Sequence, residues 1–195
     1  MNNEYADNIR KKVKKALKPN KARYWHSIGV ANTCACLAMR YNLDVQDAYV
    51  AGLLHDCAKC FSDDELLALC SDNNIEISEY EQKSPYLLHG KLGAYYADTV
   101  YGVKNKNIQD AILYHTTGRA DMSLLEEIVF IADYIEPFRN RADNLEIVRN
   151  KAFTDIKEAV YIVARDTIEY LKERNRTIEP HTIETYHFYK QLFEK

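Results

Sequence analysis

Glycine and proline are scarce, six and four among 195 residues, and no stretch alternates apolar with polar side chains at the period of two that marks a half-buried strand. Turn-rich β architectures are excluded by that absence, and solenoids by the lack of any internal repeat. No apolar run approaches the roughly 20 residues needed to span a bilayer. The opening Met-Asn-Asn-Glu-Tyr-Ala-Asp lacks the apolar centre of an export signal. A cytoplasmic protein with no membrane partner is expected. Excess charge of one sign is missing too: 26 basic against 29 acidic residues leave a net charge of −3. Such a balance does not hold nucleic acid, and the basic run over 10–15 reads as a solvated helix face. The five cysteines have neither the even count nor the context of a disulfide scaffold and are expected as free thiols. Cys57-x-x-Cys60 has the form of half a zinc or redox motif, but no second pair completes it, and both residues read as reduced space-fillers.

What remains is helix-forming sequence, 47% hydrophobic and 28% charged, enough for one sizeable core and a solvated surface. A first helix is expected over 4–17, with Ile9, Val13, Ala16 and Leu17 inward and Pro19 as its stop. A second, over 21–41, would face the core with Trp25, Ile28, Gly29, Cys36, Leu37 and Met39, and close at Asn42. Asp44 caps a third that runs into His55-Asp56. Ser62 with Glu65 is a capping box for 63–70, ended by Asp72-Asn73-Asn74. Residues 75–84 receive no assignment. Pro85 opens a helix that carries His89, and another over 107–115 stops at Thr116-Thr117-Gly118. A second capping box, Ser123 with Glu126, starts the apolar 124–135, which Pro137 ends. Helices near 144–152, over 155–174 and after Pro180 complete an all-α compact bundle. It is expected to be one domain over 1–195, with its site core at about 20–140 and further helices over 141–195.

The stretch Asp47-Ala-Tyr-Val-Ala-Gly-Leu-Leu-His55-Asp56-Cys-Ala-Lys59 begins as a buried helix and ends in two adjacent metal-capable side chains. An imidazole and a carboxylate among apolar residues are costly without partners, and one cation partners both. Four more residues share this setting: His26 beside Trp25, His89 after Leu87-Leu88, His115 after Ile112-Leu113-Tyr114, and Asp133 in Val-Phe-Ile-Ala-Asp133-Tyr-Ile. One such histidine is more often a satisfied core residue; four with two carboxylates are harder to dismiss. Mixed imidazole and carboxylate donors suit a transition metal. Six exceed a single zinc site and lack the thiolates of a structural one. They can instead feed two metals with Asp56 bridging, an arrangement that clamps the attacking and leaving oxygens of phosphoryl transfer and acidifies water. His181 and His187 fall outside the pattern and read as non-ligands.

Neighbouring residues supply cations and a polar turn. Lys59, one turn beyond His55, is placed for a substrate phosphate. Arg23, three residues before His26, can meet phosphate or an acidic side chain. Thr116, Thr117 and Gly118 can cradle phosphate through N–H and hydroxyl groups, although a plain helix stop uses the same residues. Arg119, Glu136 and Arg139 flank the ligands as nucleotide contacts, Arg139 foremost because guanidinium suits phosphate; an exposed charge is the alternative for each. The 15 tyrosines offer faces for base stacking, and sequence alone selects none of them.

The order His26, His55-Asp56, Asp133 resembles the motif pattern of the HD-domain phosphohydrolase superfamily, and His89 and His115 match its two-metal members. More narrowly, the chain resembles the YqeK family, the HD-type symmetrical dinucleoside tetraphosphate hydrolases. The matching stretches are Arg23-Tyr-Trp-His26-Ser-Ile-Gly29-Val, His55-Asp56-Cys-Ala-Lys59, Leu88-His89-Gly-Lys-Leu-Gly93-Ala, Tyr114-His115-Thr-Thr-Gly118-Arg119 and Ala132-Asp133-Tyr-Ile-Glu136-Pro137. A weaker match continues to Pro180-His-Thr-Ile-Glu-Thr-Tyr186. The resemblance implies a dinuclear centre, commonly iron, that splits diadenosine tetraphosphate into two ADP. His26, His55, Asp56 and Asp133 would hold one metal; His89 and His115, with Asp56 bridging, would hold the other. A hydroxide on the paired metals would attack phosphorus in line, with Asp56 and Lys59 in the catalytic set. Two positions depart from the family: Cys57 stands where tyrosine is usual, and Asn-Arg-Ala-Asp-Asn follows Arg139 in place of a proline-glycine turn. Other readings stay open, namely a mononuclear HD phosphohydrolase of mononucleotides and a non-catalytic nucleotide sensor. The partner expected is a dinucleoside polyphosphate, and a homodimer is allowed.

Overall fold

Short polar residues start most helices of the computed structural model, which describes residues 3–140 and 142–194. In chain order the helices are α1 (Asn3–Ala16), α2 (Lys21–Tyr41), α3 (Val45–Leu54), α4 (Asp63–Asp72), α5 (Glu79–Lys83), α6 (Leu88–Thr99), α7 (Lys106–Tyr114), α8 (Leu124–Ile135), α9 (Leu145–Thr154), α10 (Ile156–Glu173) and α11 (Pro180–Phe193). Asn20, Asp44, Ser62, Ser78, Asn105, Ser123 and Asp155 each accept a backbone N–H of the turn that follows. Those donors would otherwise be orphaned at a helix start. The described residues contain no strand, and none of their helices is long and apolar enough to cross a membrane.

Two local expectations change. Residues 75–84 contain α5, opened by a capping box of Ser78 and Glu81; the Ser-x-x-Glu signal was present, but the polar surroundings masked it. Pro85 starts a single 3₁₀ turn, Pro85–Leu87, that leads into α6.

The buried face of α2 also differs from expectation. Trp25 and Met39 are 59% and 64% exposed, and Cys36 is exposed as well. The side that enters the core carries Val30, Ala31, Cys34, Leu37 and Ala38. Helix α3 crosses α2 too closely for larger side chains: a Cβ added at Gly52 would stand 2.7 Å from Cys34 Sγ and 2.9 Å from Ala31 Cα. Small residues therefore mark the crossing, while Trp25 and Met39 lie outside it. Ala16 of α1 likewise faces solvent, while Ile9, Val13 and Leu17 are buried. Overpacking at such a contact costs about 1–3 kcal/mol. Gly52→Ala should lose that much stability in urea unfolding, and an unchanged midpoint would contradict so close a crossing of α2 and α3.

One apolar cluster runs from Ile9 in α1 through α2, α3, α7 and α8 to Val160 in α10 and Tyr189 in α11. Helix α11 is fixed to it by buried polar contacts: the Tyr189 hydroxyl donates to Glu127 Oε1 at 2.7 Å, and Lys157 Nζ pairs with the same oxygen at 2.8 Å. A smaller cluster gathers Ala58, Leu66, Cys70, Leu88 and Leu92 beneath α4 and α6.

Candidate metal centre

Helix ends bring the site together. His55 follows the last residue of α3, and His115 follows the last of α7; His89 lies in the first turn of α6, Asp133 near the end of α8 and His26 early in α2. In three of the four histidines Nδ1 faces the carbonyl three residues earlier: His55 to Gly52 at 2.7 Å, His89 to Tyr86 at 2.5 Å, His115 to Ile112 at 2.7 Å. A carbonyl can only accept, so each Nδ1 carries the proton and each Nε2 presents a bare lone pair. His26 Nδ1 is held in the same sense by the Glu136 carboxylate at 3.2 Å. The four Nε2 atoms then meet in pairs, His26 to His55 at 3.3 Å and His89 to His115 at 3.1 Å. Two lone pairs that close repel unless a proton or a cation sits with them. The donor set therefore fits a transition-metal ion, with tautomers fixed by outer partners as in known imidazole sites.

The carboxylates divide between these pairs. Asp56 Oδ2 lies 3.4 Å from His55 Nε2 and 3.8 Å from His26 Nε2, whereas its Oδ1 lies 3.4 Å from His89 Nε2 and 3.6 Å from His115 Nε2. Asp133 Oδ1 stands 3.0 Å from His26 Nε2 and 3.7 Å from His55 Nε2. Three groups of donor atoms result, His26-His55-Asp56, His55-His115-Asp133 and Asp56-His89-His115, each within 4.8 Å. Burial pushes the Asp56 carboxyl up, but the His55 and His115 imidazoles outweigh it and hold it well below the usual carboxylate range. Asp133 is likewise lowered against its burial, by His26 and His55. Burial, then His115 and Lys59, take His89 down to about 3.

Cations ring the cluster. Arg23 Nη1 is 2.5 Å from Asp56 Oδ2, Arg139 Nη2 is 2.7 Å from Asp133 Oδ1, and Lys59 Nζ is 3.2 Å from His89 Nε2. Burial lowers the Lys59 ammonium below the usual lysine range. Thr116 Oγ1 lies 3.0 Å from His115 Nε2 and 3.2 Å from His89 Nε2. A cavity of about 560 Å³ opens beside these groups. Its lining combines His115, Thr116, Asp133 and Arg139 of the cluster with apolar Phe130, Leu145 and Val163 and with Tyr134, Asp143, Asn144, Asp166, Thr167 and Tyr170. Tyr134 and Tyr170 are thus the tyrosines that face it. Polar lining residues are ordered: Asn144 donates to Asp166 and accepts from the Tyr134 hydroxyl at 2.8 Å. Neither Asn144 nor Asp166 belongs to the ligand motif, so only the unusual loop after Arg139 hinted at them; Arg141 of that loop lies outside the described residues.

Other candidates are placed differently from their expectation. The Arg119 guanidinium makes two hydrogen bonds to Glu126, at 2.6 and 2.9 Å, and stacks on Tyr114, so its fork is taken up within the fold. Glu136 is buried behind His26. Gly118, at φ +66°, abuts Thr185, and Thr117 turns its carbonyl to the same side chain. Cys57 is buried in the core against Gly93, while Cys60 is exposed, so only the first fills space. His181 and His187 are exposed and stand apart from the donor groups. Burial pushes the Glu126 carboxyl up, and Arg119 and Ser123 overcome it and lower it. A lowered folded-state value stabilises above the unfolded value and is lost as pH falls through the folded one. Arg119→Ala should therefore cost about 1–3 kcal/mol near neutral pH, and the deficit should shrink in acid below the ordinary 4.5. Denaturation at two pH values measures it, and a pH-independent deficit would deny the pair that role.

An all-α bundle carrying interleaved His and Asp donors at its helix ends is the arrangement of the HD domain, and residues 23–137 match that family; the chain belongs to it. Among curated relatives, the symmetrical bis(5'-nucleosyl)-tetraphosphatase of Halalkalibacterium halodurans is 40% identical over 84% of this chain and 87% of its own length. The Bacillus subtilis protein of the same name is 36% identical over 85% and 88%. A crystal structure from Clostridium acetobutylicum, described as a predicted HD superfamily hydrolase involved in NAD metabolism, superposes with a TM-score of 0.90 at 35% identity, covering 95% of this chain and 97% of that one.

Proposed function

We propose that this chain is a metal-dependent hydrolase that cleaves dinucleoside tetraphosphates symmetrically into two nucleoside diphosphates. The observation that carries the dinuclear reading is Asp56, whose two oxygens face two different histidine pairs. His26, His55, Asp56 and Asp133 would hold one ion, and His89, His115 and Asp56 the other. When bound, paired ions acidify water and neutralise charge on the attacking and leaving oxygens. Iron as the metal, a cytoplasmic location and a single domain over 1–195 belong to the same proposal; they rest on the resemblance and the bulk composition.

The chain's own groups orient the substrate. Arg139, Lys59 and Arg23 put positive charge at the cluster end of the cavity, where the polyphosphate belongs. The rest of the cavity lining includes Asp143 and an Asp166 whose carboxylate is already paired with Arg165 at 2.8 Å. Phe130, Tyr134 and Val163 line the same cavity and offer apolar and aromatic surface to the nucleoside, with the polyphosphate towards the cations. The relatives' names support the substrate class. With one nucleoside diphosphate moiety seated, the other half leaves as a second diphosphate. Early products from diadenosine tetraphosphate, separated by chromatography, should be ADP alone. AMP with ATP would reject the symmetrical reading, turnover of mononucleotides only would favour the mononuclear rival, and cleavage of NAD in preference to all of these would favour dinucleotides of a different kind.

A further inference from the structure

We propose that α11, which supplies no candidate ligand and lies outside the matched residues 23–137, places the Thr116 hydroxyl at the metal centre, with Thr185 as the positioning residue. Thr116 lines the cavity beside His115, and its hydroxyl oxygen lies 3.2 Å from His89 Nε2 and 3.0 Å from His115 Nε2, which puts it between the cavity and the donor cluster. Its neighbours in the turn are held from behind. The Thr185 hydroxyl lies 3.0 Å from the Thr117 carbonyl and 2.7 Å from the His181 carbonyl of its own helix. The next residue leaves no slack: a Cβ at Gly118 would stand 2.6 Å from Thr185 Oγ1 and 2.8 Å from its Cγ2. One turn earlier in α11, His181 packs edge-on against Tyr114, centroids 5.8 Å apart, which precedes the ligand His115. The helix itself cannot drift, because Tyr189, Glu127 and Lys157 pin its far half in the core. The turn 116–118 is thus gripped between the end of α7 and a fixed helix, and the grip ends on a side chain that touches the site.

This inference rests on the proposed function for its turnover readout, but not for its binding readout. Thr185→Val keeps the shape and removes the hydroxyl, whose one proton is shared between the Thr117 and His181 carbonyls. In metal-loaded protein it should weaken ADP binding, measured by calorimetry, and lower kcat by about fivefold each, the scale of one hydrogen bond. Thr116→Val should do the same, and Thr185→Val added to Thr116→Val should change neither further, because both act through one hydroxyl. Thr185→Ser should restore parental values. Should Thr185→Val not fold, Gly118→Ala parts the same contact from the other side and should reproduce the loss. Parental binding in Thr185→Val or Gly118→Ala, or a full additional loss in the double variant, would overturn the inference. If the parent cleaved no dinucleotide while the ADP cycle closed on Thr116, the proposed function would fall alone. A parent that bound no ADP at all would overturn both.

Discussion

Asp56→Asn is expected to abolish turnover, by at least about a thousandfold, and to empty both halves of the centre. A bound metal supplies several kcal/mol of charge stabilisation, and each 1.36 kcal/mol is about tenfold in rate. Asp56 gives one oxygen to each histidine pair, Oδ2 towards His55 and His26 and Oδ1 towards His89 and His115, whereas Asp133 presents a single oxygen, Oδ1, to His26 and His55, with His115 within 4.8 Å. Asparagine matches the shape, but it brings an NH₂ in place of one anionic oxygen and leaves Arg23 without its 2.5 Å partner. His89→Ala makes the contrast, since it disturbs one half only and should leave close to one metal per chain. Elemental analysis beside initial rates separates them. Full metal content with full rate in Asp56→Asn would sink the bridging role, and a fully active parent with at most one metal would sink the dinuclear reading.

Stripping the metal should lower the melting temperature by about 8–16 °C. A ligand present at a thousand times its dissociation constant stabilises by about 4.1 kcal/mol, and about 2–4 °C follow from each kcal/mol in a chain of this size. The reason is local. His26 with His55, and His89 with His115, aim lone pairs at each other at 3.3 and 3.1 Å. Removing the cation leaves that repulsion, with the Asp56 and Asp133 charges, in a largely buried site. Calorimetry of chelator-dialysed and reloaded protein gives the difference. Coincident transitions would mean that the cluster is held without an ion.

The helices and the convergence of six donors were legible because both rest on local signals. Ser62/Glu65 and Ser123/Glu126 announce helix starts through their own backbone bonds, and a histidine or aspartate in an apolar run advertises an unmet partner. What stayed hidden depends on contacts distant in sequence. Trp25 and Met39 were read inward on apolarity, whereas the depth of α2 is set by Gly52 on another helix. Arg119 looked free for nucleotide because Glu126, its partner, lies a turn away across a loop. The cavity also draws on Asn144, just before α9, and on Asp166 of α10, which carry no ligand motif and become neighbours only when the bundle closes. Thr185 falls within the weaker match Pro180 to Tyr186, but its contact with Thr117 spans 68 residues and carries no local signal.

The three histidines that lean on the carbonyl three residues before them have a consequence for portability. Their aim is inherited from the main chain, through Gly52, Tyr86 and Ile112, and owes nothing to what side chains those positions carry. A helix terminus and one histidine therefore make a self-orienting donor that needs no companion mutation. A designer could write such a residue at the end of a well-packed helix, so long as the carbonyl three residues earlier is not called elsewhere and packing, as at Gly52, still sets which side chain that position can carry.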